Sequence, residues 1–134
     1  MTDEAYLLVS DSDIRQVTVP AGTAIAKGQL IVLGADNNQG ATHQGYNDEI
    51  PLGFAVTEKS ATDTQTSIGV RCRGEVDAVA TGDIVLGYLV CPSTVDNRVK
   101  SAGTTLSGIT VHTVMGRCME TASDGERVRI KLLM

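Results

Sequence analysis

Aromatic side chains are almost missing from this chain: Phe54, Tyr6, Tyr46 and Tyr88 are all it has, with no Trp. Carbohydrate platforms and base-stacking surfaces rely on exposed rings, so both lose their usual material. The 11 Lys and Arg are outnumbered by 16 Asp and Glu and form no basic cluster along the chain, which argues against nucleic acid as a partner. No apolar run approaches the roughly 20 residues of a membrane span. The acidic start Met1-Thr2-Asp3-Glu4 does not read as a secretory leader. Three cysteines, Cys72, Cys91 and Cys118, cannot all pair, and none forms the C-x-x-C spacing of a zinc site. They read as reduced core thiols of a protein made in a cytosol.

What the chain does contain points to β structure. Its 134 residues include 14 Gly and many Val, Ile and Thr, and no stretch shows a 3.6-residue apolar period. The net charge is −5, and four of the acids (Asp3, Glu4, Asp11, Asp13) fall within the first thirteen residues, which carry no Lys or Arg. Residues 1–14 therefore form an acidic arm around one apolar patch, Tyr6, Leu7, Leu8 and Val9. Two readings of that arm stand side by side: a solubilising tail, or an interaction strand.

The strongest internal signal is a repeat. Residues 24–31 (A-I-A-K-G-Q-L-I) align with residues 78–85 (A-V-A-T-G-D-I-V), matching Gly28 to Gly82. Downstream, residues 52–56 echo in residues 115–119, and residues 70–73 in residues 128–131. A pattern used twice implies a duplicated β unit, its copies forming two halves of one barrel. The fold class is all-β, a small barrel or sandwich with an N-terminal extended arm, residues 15–134 making a single domain.

Strands are expected at residues 16–19, 23–26 and 29–33, the last two joined by a tight Lys27-Gly28 turn. Residues 34–49 read as one long polar loop, and residues 58–66 as a polar connection with room for one helical turn. Residues 84–91 form a near-continuous apolar run, expected as a central strand buried on both faces. In the last strand Val128, Ile130, Leu132 and Met134 alternate with Arg127, Arg129 and Lys131, so one face packs the core and the other meets water or a neighbour.

Chemistry is hard to find. His112 with Cys91 or Cys118 could be imagined as a nucleophile pair, but no motif surrounds them, and His43 lies in the polar loop. The segment 36–40 is oxygen-rich like a calcium loop yet lacks the sixth-position Gly, and Asn47 stands where the twelfth-position acid belongs. Asp77 and Asp83 have no acidic counterparts in the first copy. No Gly-rich phosphate loop occurs. The expectation is no enzyme, no cofactor, no metal and no catalytic residue.

The segments 19–33, 51–56, 78–85 and 115–120, with the basic last strand, resemble the capsid decoration (cement or head-stabilising) proteins of tailed bacteriophages. The resemblance runs from about residue 15 to the end. Cys118 and Met119 replace the usual small residues, and the loop 34–49 is longer than in the family. It implies a virion structural protein on the outside of an expanded phage head, assembled in the host cytoplasm. It further implies a homotrimer whose partner is the major capsid protein, stabilising contacts between capsid subunits, with no nucleic acid or membrane involved. The arm residues Tyr6, Leu7, Leu8 and Val9 would then add a strand to the capsid; otherwise they join the chain's own barrel. Other readings are a virion-surface host- or glycan-binding module, a small hydrolase or cysteine peptidase, and a β-clip-like domain.

Overall fold

The structure, a computed structural model, describes residues 14–34, 39–45, 49–103 and 113–133. Among these there are ten strands and no α-helix: β1 (Ile14–Thr18), β2 (Leu30–Leu33), β3 (Gly40–Thr42), β4 (Pro51–Ala55), β5 (Ser67–Arg71), β6 (Arg73–Thr81), β7 (Leu89–Pro92), β8 (Arg98–Gly103), β9 (Gly116–Cys118) and β10 (Arg127–Leu133). The expectation of an all-β fold built from a duplicated unit holds. Each copy, however, makes a five-stranded sheet of its own: β1-β5-β4-β2-β3 in the first half, and a closed barrel β10-β6-β8-β7-β9 in the second.

The two sheets correspond strand for strand, β1 to β6, β2 to β7, β3 to β8, β4 to β9 and β5 to β10. Hydrogen bonds outside the ladders repeat with them. Gly28 donates to the Ala55 carbonyl at 2.8 Å and Gly87 to the Cys118 carbonyl at 2.9 Å; Ile25 and Lys59 exchange backbone bonds as Ile84 and Ala122 do. Gly28 thus corresponds to Gly87 and not to Gly82. All three glycines have positive φ, which explains how the sequence alignment slipped. The Leu52-Gly53/Met115-Gly116 echo is in true register. A β-carbon on Gly53 would strike the Arg71 carbonyl, and one on Gly116 the Lys131 carbonyl, so only glycine fits at either place.

The second sheet closes through three parallel pairs, Val79–Arg98, Ala80–Val99 and Thr81–Lys100. In the first, one parallel bridge among the described residues, Thr18–Gln39, spans the same seam. Pro20 occupies the position of Thr81, and without an N–H it cannot make the next rung.

The interior of the first sheet holds Val17, Val19, Ile25, Ile31, Ala55, Ile68 and Val70. Their counterparts Ala78, Ala80, Ile84, Val90, Cys118, Val128 and Ile130 all lie in the core of the second. That second core also takes in Leu30, Val32 and Phe54, which point outward from the first sheet. Each contributes roughly 1.5–3 kcal/mol by leaving water, so the two units are held together largely by this face. A polar clasp adds to it: the Asn97 amide donates to His43 Nδ1 at 2.9 Å, and Asn97 Oδ1 accepts from the Leu30 amide at 3.0 Å. Asn97 is the one described non-glycine residue with positive φ, at 63°, a conformation asparagine tolerates well.

Several expected elements differ. Residues 23–26 do not form a strand; Ile25 makes a single bridge to Lys59. The polar stretch 34–49 contains β3, a three-residue strand too short and too polar to betray itself. Residues 58–66 turn at Ala61-Thr62 without a helix. Only the end of the 84–91 run is strand: Ile84 is buried, but Val85 and Leu86 are 44% and 60% exposed in the turn before β7.

Candidate functional site

The described residues bring together no catalytic constellation. Cys72, Cys91 and Cys118 are all buried, as expected, and sit in different places. Cys118 Sγ donates to the carbonyl of Glu120. Burial pushes the Cys91 thiol pKa up, and the opposing pull of Lys100, its cross-strand partner, is the smaller effect. Such a thiol is a poor nucleophile. His43 is buried and not a loop-surface residue: its Nδ1 accepts from Asn97, which leaves the proton on Nε2, 3.5 Å from Glu49 Oε1. Its ring joins the two units. His112 and the arm residues Tyr6, Leu7, Leu8 and Val9 lie outside the described residues, as do Asp36, Asn37, Asn38 and Asn47. No group of three or more His, Cys, Asp or Glu that could hold a metal occurs among the described residues.

One concavity, an open groove of about 510 Å³, runs between Ala24, Ala26 and Gln29 on one side and Glu58, Lys59 and Ser60 on the other. Its prominent group, Lys59, is only 3% exposed. The ammonium donates to the carbonyls of Ala21, Thr23 (2.9 Å) and Asp63 (3.2 Å). All three of its protons are thereby committed to the chain's own backbone. A smaller depression of about 210 Å³ lies where the units meet, with Lys27, Arg71 and Asp77 around an apolar floor that includes Phe54, Val56 and Val76. Neither hollow presents a nucleophile beside a base.

The surface is more informative. At the tip of the second unit the turn leading into β7 exposes Val85 and Leu86, and Met119 is 41% exposed on the segment opposite. The turn is pinned there: Leu86 donates to Thr121 Oγ1 at 3.1 Å, Gly87 to the Cys118 carbonyl at 2.9 Å, and Tyr88 to the Val85 carbonyl at 3.0 Å. Arg117 Nη1 donates to the Gly87 carbonyl at 2.7 Å and braces the same turn. The first unit carries Ala26 and Lys27 in the equivalent turn, and Val56 in place of Met119. Duplication thus produced one charged tip and one apolar tip, the latter rigid and open to solvent. In the sequence this was concealed by the near-continuous apolar run 84–91, which reads as a buried strand and takes in Val85 and Leu86.

A second surface feature lies on the outer faces of β9 and β10. Arg117, Arg127, Arg129 and Lys131 are all exposed there. The register sets Lys131 between Arg117 and Glu75, and Arg129 beside Asp77 at 3.8 Å. The alternation expected for this strand is present, with Val128, Ile130 and Leu132 buried. Folding thus adds Arg117 to the three cations that the last strand already shows on one face.

No family model matches the chain, and no curated protein matches it. Among solved structures it is similar to the crystal structure of the head fiber gp8.5 N base of bacteriophage phi29, with a TM-score of 0.57 and 17% identity. The match covers 89% of this chain and 93% of that one, so the likeness takes in both units. At this identity the likeness is one of fold.

Proposed function

We propose that this chain is a structural protein of a phage head, carried on the outer surface of the shell and bound to the major capsid protein. The observation that carries the reading is the likeness of fold to a head fiber base along nearly the whole of both chains. It agrees with the independent resemblance of the repeat motifs to decoration proteins, and with a body whose buried histidine, lysine and thiols serve structure. The apolar tip of Val85, Leu86 and Met119 is the shell-facing surface in this reading, since a rigid exposed apolar turn suits a preformed partner. The arm residues Tyr6, Leu7, Leu8 and Val9 supply a second contact by strand addition. A homotrimer at a symmetry axis of the shell would present three such tips together.

Two roles fit such a location: cementing capsid subunits, or anchoring a fibre. Cosedimentation of the purified protein with expanded shells lacking it tests the location. Binding is expected, and its absence would overturn the reading. Calorimetry of the loaded shells then separates the roles: a raised melting temperature means cement, and an unchanged one means a fibre base. The second unit of function, host or glycan binding, has no exposed aromatic platform among the described residues to favour it.

A further inference from the structure

We infer that Lys59 is a built-in cation that closes the first unit, and that the three carbonyls around it become a site for a free monovalent cation of ammonium size once the side chain is removed. The two units close differently at the same place. In the second, Ala80 donates to the Glu126 carbonyl and Gly125 to the Ala80 carbonyl, both at 2.9 Å, and Gly82 donates to Asp124 Oδ1 at 2.7 Å. In the first, the Val19 amide still reaches the Thr66 carbonyl at 2.9 Å. Gln65, however, stands in the place of Gly125 and turns its amide to Asp63 Oδ1 instead.

Loop length separates the two cases. Five residues lie between Val19 and Ile25, where three lie between Ala80 and Ile84. Eight lie between Lys59 and Ile68, where five lie between Ala122 and Val128. The longer pair of loops turns the carbonyls of Ala21, Thr23 and Asp63 toward one point, and the Lys59 ammonium occupies it. Carbonyl dipoles aimed at one point repel one another, and a positive charge between them reverses the sign of the interaction. Backbone carbonyls are also the ligands with which proteins replace the hydration shell of a monovalent cation. The site has an entrance, because Lys59 lines the open groove beside Ala24 and Gln29. Ala122, at the equivalent position, has no head group to offer, and the shorter loops there bond directly.

Lys59→Ala in the full chain, unfolded by urea in ammonium chloride or in choline chloride, tests the site. Ammonium reproduces the lysine head in charge and donors, whereas choline carries the same charge on a bulkier group without N–H. At about 0.5 M the unfolding equilibrium constant should be about ten-fold lower in ammonium than in choline, as a dissociation constant on the order of 50 mM requires. Carbonyl ¹³C resonances of Ala21, Thr23 and Asp63 should move on adding ammonium, and those of Gly82 and Asp124 should stay. If the variant is unfolded in choline, it must fold in ammonium, and failure in both overturns the inference. Equal stability in the two salts would also overturn it. So would the same gain in the wild-type protein, or in Lys59→Met, whose stem leaves the cradle no room for an ion.

Discussion

Gly40 and Val99 occupy the same place in the two units, and their neighbours are exchanged in the opposite sense. A β-carbon on Gly40 would lie 2.7 Å from Val17 Cγ1 and 2.9 Å from Ile31 Cγ2, with Val19 Cγ1 at 3.7 Å. Around Val99, which is fully buried, the equivalent residues are Ala78, Val90 and Ala80, each smaller than its counterpart. Each interior is filled, by different residues, as dense packing requires.

Gly40→Val should therefore destabilise the protein by about 1–3 kcal/mol through overpacking. Adding Val17→Ala and Val19→Ala should restore much of that loss, although each alone would open a cavity. Urea unfolding of the single and triple variants checks this, and additive losses would refute the exchange.

Lys59 stands where the second unit has Ala122. Lys59→Ala would leave the carbonyls of Ala21, Thr23 and Asp63 without their shared donor. A loss of about 2 kcal/mol is expected. Lys59→Met, which keeps the stem but not the charge, should lose nearly as much if the carbonyl cradle is what matters.

The buried Cys91 thiol makes stability depend on alkaline pH. Its folded pKa is raised, so in the folded state it holds its proton where the unfolded chain has released it. Its contribution is complete below the unfolded thiol pKa, about 8.5, and is lost as pH rises toward the folded value. Unfolding free energies measured across the alkaline range should fall, and Cys91→Val should flatten that decline.

Leu86→Lys gives the second tip the residue that Lys27 supplies in the first. The melting temperature should stay within a degree or so, since exposed substitutions have small effects. Affinity for expanded shells should fall about ten-fold or more, measured by cosedimentation. Full affinity would move the contact away from this tip.

The legible part of the fold was whatever rested on hard steric constraint. Gly53 and Gly116 appear in sequence at their true correspondence, because a carbonyl presses on each. The last strand shows its faces, because a two-residue period survives any tertiary context. The β5/β10 match was read two residues out, pairing Val70 with Val128 where the structure pairs it with Ile130. An even slip keeps every side chain on its proper face and leaves no mark in the pattern. Gly82 and Gly87 are both turn glycines close to an apolar run, so local chemistry could not choose between them. Of the basic ladder on β9 and β10, Arg127, Arg129 and Lys131 show in the alternation of the last strand, but Arg117 escaped because strand pairing, which sequence does not disclose, sets it beside Lys131.

Phe54 is buried at the junction of the units, whereas Arg117, its counterpart, is exposed and bent back onto its own turn. His43, half of the clasp, is replaced by Ala102. Units that stack head to tail have no intrinsic reason to stop, and such contacts grow into filaments when both ends match. Here the two faces do not match: Phe54 joins the second core with Leu30 and Val32, whereas Arg117 stands exposed beside their counterparts, the buried Leu89 and Cys91.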